Sequence, residues 1–149
     1  MIYLAADHAG FESKERLKKF LSKKGIPVTD LGAMEFDTND DYPTYALTLA
    51  EKVAQTPKSR GILLCGSGQG VCIAANKVPS IRAALAWDVL SAKSARGDDN
   101  ANILCVPGRA LTDRDREKIV IAWITEPFSN LSRHKRRIRQ ITQYEKTRK

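Results

Sequence analysis

The chain has 149 residues, 42% apolar and 28% charged, with 9 glycines and 6 prolines. That is room for one domain with a real core, and it excludes disordered, collagenous and low-complexity chains. The formal charge is 25 minus 17, or +8, and most of it lies between Arg133 and Lys149, where eight Lys/Arg face one acid, Glu145.

Such a tail attracts nucleic acid nonspecifically or holds a small anion such as phosphate, and charge alone does not choose between them. The longest apolar runs, Ile62 to Cys65 and Ile119 to Ile124, fall far short of the ~18 residues of a membrane span. Met1 to Ala6 lead straight into Asp7, His8 and Gly10 without a leader-like pattern, so a cytoplasmic protein with no membrane partner is expected. Cys65, Cys72 and Cys105 show no C-x-x-C pair and no zinc-ligand spacing, and are expected to be free thiols.

In chain order, the first β-type run is Ile2 to Ala6, followed by helical spacing at Leu17, Phe20 and Leu21. Pro27 to Leu31 predicts the second strand, and Ala46, Leu49, Ala50 and Val53 predict the helix after it. Gly61 to Cys65, Ile81 to Trp87 and Ala101 to Val106 complete five strands alternating with helices, the pattern of βαβ units and a parallel sheet. A helix is predicted from Asp113 to Thr125, carrying Val120, Trp123 and Ile124, with Glu126-Pro127 as its break. The last helix runs from about Asn130 into the basic tail. No strand follows it, so it is expected to pack on a second subunit. One domain over residues 1–149 is expected.

Ligands of an open parallel sheet bind at the carboxyl ends of its strands. Those ends read Asp7-His8-Ala9-Gly10, Cys65-Gly66-Ser67-Gly68-Gln69-Gly70, Trp87-Asp88 and Gly108-Arg109. Three glycines in the five positions Gly66 to Gly70 expose backbone N–H groups that suit an anion or a developing oxyanion. A dinucleotide fingerprint competes, since Asp88 ends the next strand, but Val71 stands where its third glycine belongs and no P-loop Lys-Ser/Thr is present. Cys65 stands at the strand end before this loop, where a helix N-terminus favours thiolate; the alternative is a small buried hydrophobe, the reading given to Cys72 and Cys105. Arg133 and Arg137 share a helix face, and a phosphate between them would relieve their repulsion; the alternative is a solvated basic face. Glu35, Asp37, Asp40 and Asp41 lack the order of a calcium loop and read as a solvated turn.

Taken together, Asp7-His8-Ala9-Gly10, Asp41-Tyr42-Pro43, Gly61 to Gly70 with Ile73-Ala-Ala-Asn-Lys77, Asn102-Ile-Leu and Arg133-His134-x-x-Arg137 resemble the type B ribose-5-phosphate isomerases and their galactose-6-phosphate and allose-6-phosphate relatives. The resemblance spans nearly the whole chain. It implies a Rossmann-like α/β three-layer sandwich, a homodimer or tetramer whose sites use both subunits, a phosphorylated sugar as substrate, and no metal or organic cofactor. It implies Cys65 as the base moving a proton between C1 and C2, with Gly66, Gly68, Gln69 and Gly70 around the enediolate and the Ser67 hydroxyl assisting. Asp7, His8 and Tyr42 would line the sugar, and Arg109, Arg133 and Arg137 would grip its phosphate, the last pair from the neighbouring subunit. This agrees with enediolate chemistry, which needs a base on the C–H and dipoles where charge develops.

The family's ring-opening acid is a His in a His-Asn-Asp/Asn run, and here the stretch reads Gly97-Asp98-Asp99-Asn100, so Asp98 takes the His position and Asp99 the Asn position. Ionised at neutral pH, an ordinary Asp cannot donate a proton, although it can remove one from the anomeric hydroxyl. Three expectations stay open: Asp98 is desolvated and protonated, His8 or water opens the ring, or the substrate is used mainly in open form. Leu131-Ser132 also replaces the two glycines common before Arg133. The reading is therefore an aldose–ketose isomerase of the pentose phosphate pathway, with a six-carbon phosphosugar isomerase or a non-catalytic phosphosugar-binding homologue as alternatives. Nucleic acid binding is disfavoured, because beyond Tyr144 no aromatic residue interleaves with the basic tail.

Overall fold

Runs of five or six apolar residues are too short for buried helices and form strands instead. The computed structural model describes residues 1–147, so Arg148 and Lys149 of the basic tail lie outside the described residues. Its elements in order are β1 (Ile2–Ala6), α1 (His8–Lys23), β2 (Val28–Asp30), α2 (Tyr42–Gln55), β3 (Arg60–Cys65), α3 (Gln69–Ala75), β4 (Ala83–Leu85), α4 (Val89–Gly97), β5 (Ile103–Pro107), α5 (Asp113–Thr125) and α6 (Ser132–Thr147). The five strands form one parallel sheet in the order β2-β1-β3-β5-β4.

Alternation along each strand sorts the core into two layers. Tyr3, Ala5, Leu63, Cys65, Ile103 and Cys105 face α2 and α3, meeting Ala46, Leu49, Ala50, Val53, Val71 and Ala75. Leu4, Ala6, Ile62, Leu64, Leu104 and Val106 face the other way, onto Leu17 and Leu21 of α1, Ala92 of α4 and Ile119, Val120 and Trp123 of α5. The result is the expected three-layer α/β sandwich.

The fourth strand is shorter than the Ile81 to Trp87 predicted, because only Ala83–Leu85 pair with β5. Its outer flank is closed by a side chain: the Asn76 amide donates to the Ala83 carbonyl (2.8 Å) and accepts from the Ala83 N–H (2.9 Å). On the inner side Asn102, just before β5, holds the strand's start, accepting from the Arg82 N–H (2.8 Å) and donating to the Ser80 carbonyl (2.9 Å). The Asn76 amide satisfies an edge that is otherwise open to foreign strands.

The final helix lies outside both layers. His134 is its one buried residue among those described, and near its far end the Glu145 carboxylate accepts from the Ser80 N–H (2.9 Å).

One buried charge fixes the first βα unit. Lys14 of α1 is fully buried and its ammonium donates to both Asp30 oxygens (2.9 and 2.8 Å) and to the Ala33 carbonyl (2.6 Å). It thereby ties α1 to β2 and to the loop after it. Burial alone raises the Asp30 carboxyl, but the hydrogen bonds from Lys14 and Lys18 outweigh it and hold the group below its ordinary value. Asp30→Ala leaves the buried ammonium with the Ala33 carbonyl and the partly exposed Glu15 carboxylate (3.2 Å), and should lose about 3 kcal/mol in denaturant unfolding. Lys18→Ala, which removes a partly exposed partner, should lose less than about 1 kcal/mol.

Candidate active site

Three β-to-α connections meet where β1, β3 and β5 end side by side. Cys65 closes β3, is 5% exposed, and its sulfur accepts a hydrogen bond from the Gly68 N–H at 3.1 Å. That N–H points back because Gly68 adopts a left-handed conformation, φ 76°, as the N-cap of α3. A Cβ here would lie 2.6 Å from the end of the Leu85 side chain and 3.1 Å from the β5 backbone, so a larger residue is strained by its φ and must displace Leu85. The Gln69 N–H donates to the Ser67 hydroxyl (3.3 Å), and Ser67 and Gln69 are exposed at the mouth of the loop.

Tyr42, the first residue of α2, lays its ring against Gly70, where a Cβ would stand 2.8 Å from the ring carbon that bears the hydroxyl. On the other side Arg109 spreads its guanidinium over Gly66. Its loop is laced to β3 through two bonds, Gly108 N–H to the Cys65 carbonyl (2.7 Å) and Arg109 N–H to the Gly66 carbonyl (3.1 Å). Buried Arg116 gathers the carbonyls of Pro107, Gly108 and Leu111, which sets the path of this loop.

Asp7 ends β1 and caps α1, accepting from the Gly10 N–H at 3.0 Å. Burial pushes its carboxyl above the ordinary range, although the Gly10 bond opposes the shift. Beside it the Asp40 carboxylate accepts from the His8 backbone N–H (3.0 Å) and lies 2.7 Å from His8 Nδ1. This bond raises His8 above its ordinary value of 6.5. Asp7, His8 and Asp40 bring one ligand-type atom each within 4.8 Å of one another. Asp7 is engaged with the Gly10 N–H and Asp40 Oδ1 with His8, while Asp40 Oδ2 is buried without a hydrogen-bond partner among the described residues. A cleft of about 240 Å³ runs between His8 and Arg109, past Ser13 and Phe36.

Known proteins resemble this chain in sequence and fold. The family model described as Ribose/Galactose Isomerase matches residues 2–141. The chain belongs to the ribose/galactose isomerase family. It is 44% identical over 146 residues to ribose-5-phosphate isomerase B of Mycobacterium tuberculosis, covering 98% of this chain and 90% of that protein. The crystal structure of ribose-5-phosphate isomerase B from Mycoplasma genitalium with bound ribulose-5-phosphate superposes with a TM-score of 0.92 at 44% identity, covering 97% and 95% of the two chains. The Clostridium thermocellum ribose-5-phosphate isomerase B gives a TM-score of 0.94 at 36% identity, covering 99% of each chain.

Within this isomerase fold, the residues singled out from sequence fall into two groups. Asp7, His8, Tyr42, Cys65, Gly66, Ser67, Gly68, Gln69, Gly70 and Arg109 stand together at the carboxyl ends of the strands. Asp98 and Asp99 do not join them. They follow α4, which runs back against the strands, and the Asp99 carbonyl accepts from Arg82 just before β4 begins (3.1 Å), at the opposite end of the sheet. Arg133 and Arg137 are exposed on α6, which begins beside Asp98 through His134 Nδ1, 3.6 Å from the Asp98 carboxylate.

The Asp98 side chain is 55% exposed, so the desolvation expected of a protonated Asp98 is absent within one chain. Sequence proximity also hid its histidine neighbour, since His134 lies far along the chain and meets Asp98 only in the fold. Asp40 is a further departure: read as part of a solvated turn, its side chain is 7% exposed and orients His8. Cys105 is fully buried, while Cys72 is half-buried and directs its sulfur to the Ala83 carbonyl (3.4 Å).

Because His8 is raised, its paired cation is present at low pH and is lost as pH rises through the folded-state value, which lies above 6.5. Removing the carboxylate charge with Asp40→Asn should move the His8 titration, followed by NMR of its ring protons, to lower pH. An unmoved midpoint would show that Asp40 does not act on His8.

Proposed function

We propose that this chain interconverts ribose 5-phosphate and ribulose 5-phosphate, an aldose–ketose isomerisation through an enediolate. The observation that carries the proposal is the Cys65 sulfur seated in the glycine loop, with the Gly68 N–H turned toward it at 3.1 Å. In the open-chain aldose the Cys65 thiolate takes the proton from C2, and the electron pair moves to make the C1–C2 double bond of the enediolate. Return of that proton to C1 gives the ketose, while the second proton passes from O2 to O1. Backbone N–H groups of the loop from Gly66 to Gly70 face the developing negative charge, and the Ser67 hydroxyl serves the same oxygens. Asp7 and Tyr42 line the sugar. His8 and Arg109, on either side of the cleft, hold the phosphate with charge-assisted bonds.

The site takes its remaining groups from a second copy of the chain, so the working unit is a homodimer. Asp98, Asp99, Arg133 and Arg137 stand at the far end of their own sheet and are exposed, free to enter a neighbour's cleft. Exposed Ile73, Trp87 and Leu90, together with Leu131 and Ile141 of α6, supply apolar surface for such packing.

An isomerisation assay with ribose 5-phosphate tests the chemistry. Cys65→Ala should lower turnover by about 10²–10⁴-fold, the contribution of a positioned base, while ribulose 5-phosphate still binds. Turnover near the parental rate refutes the base. The shared site is tested by mixing two inactive variants, Cys65→Ala and Arg137→Ala. Random pairing makes half the dimers mixed, each with one intact site, so about a quarter of the parental activity should return. No recovery after exchange of subunits would place Arg137 in its own chain's site.

A further inference from the structure

A cavity at the amino ends of β3, β4 and β5 serves no step of the isomerisation. It encloses about 520 Å³ and is lined by Arg60, Arg82 and Arg96, with Lys58, Asn100 and Asn102 beside them and no acidic residue in its wall among the described residues. Each arginine is held by neutral partners. Arg60 donates to the Ile124 carbonyl (2.8 Å), and its guanidinium sits 5.7 Å from the centre of the Trp123 ring. Arg82 donates through Nε to the Asp99 carbonyl (3.1 Å) and through Nη2 to the Asn100 carbonyl (2.9 Å). Arg96 reaches the Asn100 side chain and the Ala101 carbonyl (3.1 Å), while its Nε is buried with no hydrogen-bond partner.

Three guanidiniums thus share a partly desolvated space with no carboxylate among their hydrogen-bond partners in the described residues. The acids that act on them do so from outside: Glu145 and Asp99 influence Arg82 at a distance, and Glu145 is engaged with the Ser80 N–H. Burial, followed by repulsion from Arg60 and Arg82, pulls Arg96 down to about 10. The surroundings are strained as well. Lys58, Ser80 and Asn100, which line the cavity, are three of the four non-glycine residues with positive φ among those described. Unmatched positive charge, an orphaned buried donor and a space within the size range of small-molecule sites all call for an anion larger than a halide.

We propose that this cavity binds the phosphate group of a small phosphorylated metabolite, at a site distinct from the sugar site, with Arg60, Arg82 and Arg96 as its anchors. Guanidinium forks match phosphate oxygens in pairs, and the anion supplies the partner that Arg96 Nε lacks. The space left beyond one phosphate accommodates the organic group attached to it. The assignment stands apart from the role of Cys65, since no residue of the glycine loop lines this cavity.

The probe is inorganic phosphate, added at constant ionic strength to the full chain carrying Arg109→Ala, which weakens the sugar site. Phosphate should raise its thermal midpoint. Adding Arg60→Met should weaken the half-saturating concentration by at least about tenfold, the worth of one charge-assisted bond. Without phosphate, Arg60→Met should be as stable as its parent or more so, since one of three repelling cations is gone. An equal response to phosphate with and without Arg60 overturns the proposal, as does no response in either. Crystals of the unaltered chain soaked in tungstate, a phosphate surrogate, give a second readout. Density within bonding distance of Arg60 and Arg96 supports the site; a carboxylate of another copy filling the cavity overturns it.

Discussion

Gly68, three residues beyond Cys65, turns its N–H back onto the Cys65 sulfur at 3.1 Å, and the glycine loop closes over the end of β3 through that contact. The turn favours glycine, since a Cβ would press on the end of Leu85 and lie 3.1 Å from the β5 backbone in a left-handed conformation. The glycine loop is therefore shaped as much by its neighbour strands as by its own sequence. Bonds from Gly108 to the Cys65 carbonyl and from Arg109 to the Gly66 carbonyl fix the same loop from the far side. Main-chain groups placed in this way need little reorganisation when charge appears, which is the condition for effective electrostatic stabilisation.

The polarity of the fold divides the functional residues. Each strand points its carboxyl end toward the cleft, and each helix returns the chain to the opposite end. Residues that follow a strand, such as His8 and Arg109, gather at the cleft, and residues that follow a helix, such as Asp98, are carried away from it. The exposed pair Asp98 and Arg133 thus lies beyond the reach of its own chain's Cys65. That separation is why the proposed site draws on a second copy.

Much of this was legible in the sequence. Apolar periodicity located the five strands and the helices α1, α2 and α5, whose faces pack on the sheet, while the short α3 and α4 followed only from the alternation of strands with helices and α6 from the Glu126-Pro127 break. The glycine loop was legible because its spacing reports a backbone requirement. What escaped was long-range pairing of polar groups. Nothing near Asp40 marks it as the acceptor for His8, 32 residues earlier, and an acidic turn reads as solvated until the loop is folded back. Lys14 lies in a lysine-rich helix whose other lysines are half or fully exposed, yet it alone is fully buried, because β2 places Asp30 beneath it. Asp98 was placed with Cys65 by motif and separated from it by helix direction. The three arginines of the opposite cavity come from three different segments and have no local signature at all.

The strand order carries a consequence for biosynthesis. β5 is the last strand to leave the ribosome, yet it occupies the position between β3 and β4. A nascent chain can zip β2, β1 and β3 together early, while one flank of β3 stays bare and β4 has no neighbour to join. Only when Ile103 to Pro107 emerge does the gap close and the bed beneath Gly68 form. A translation product halted before that point carries the Cys65 sulfur without the walls that seat it, so the glycine loop is completed late and all at once.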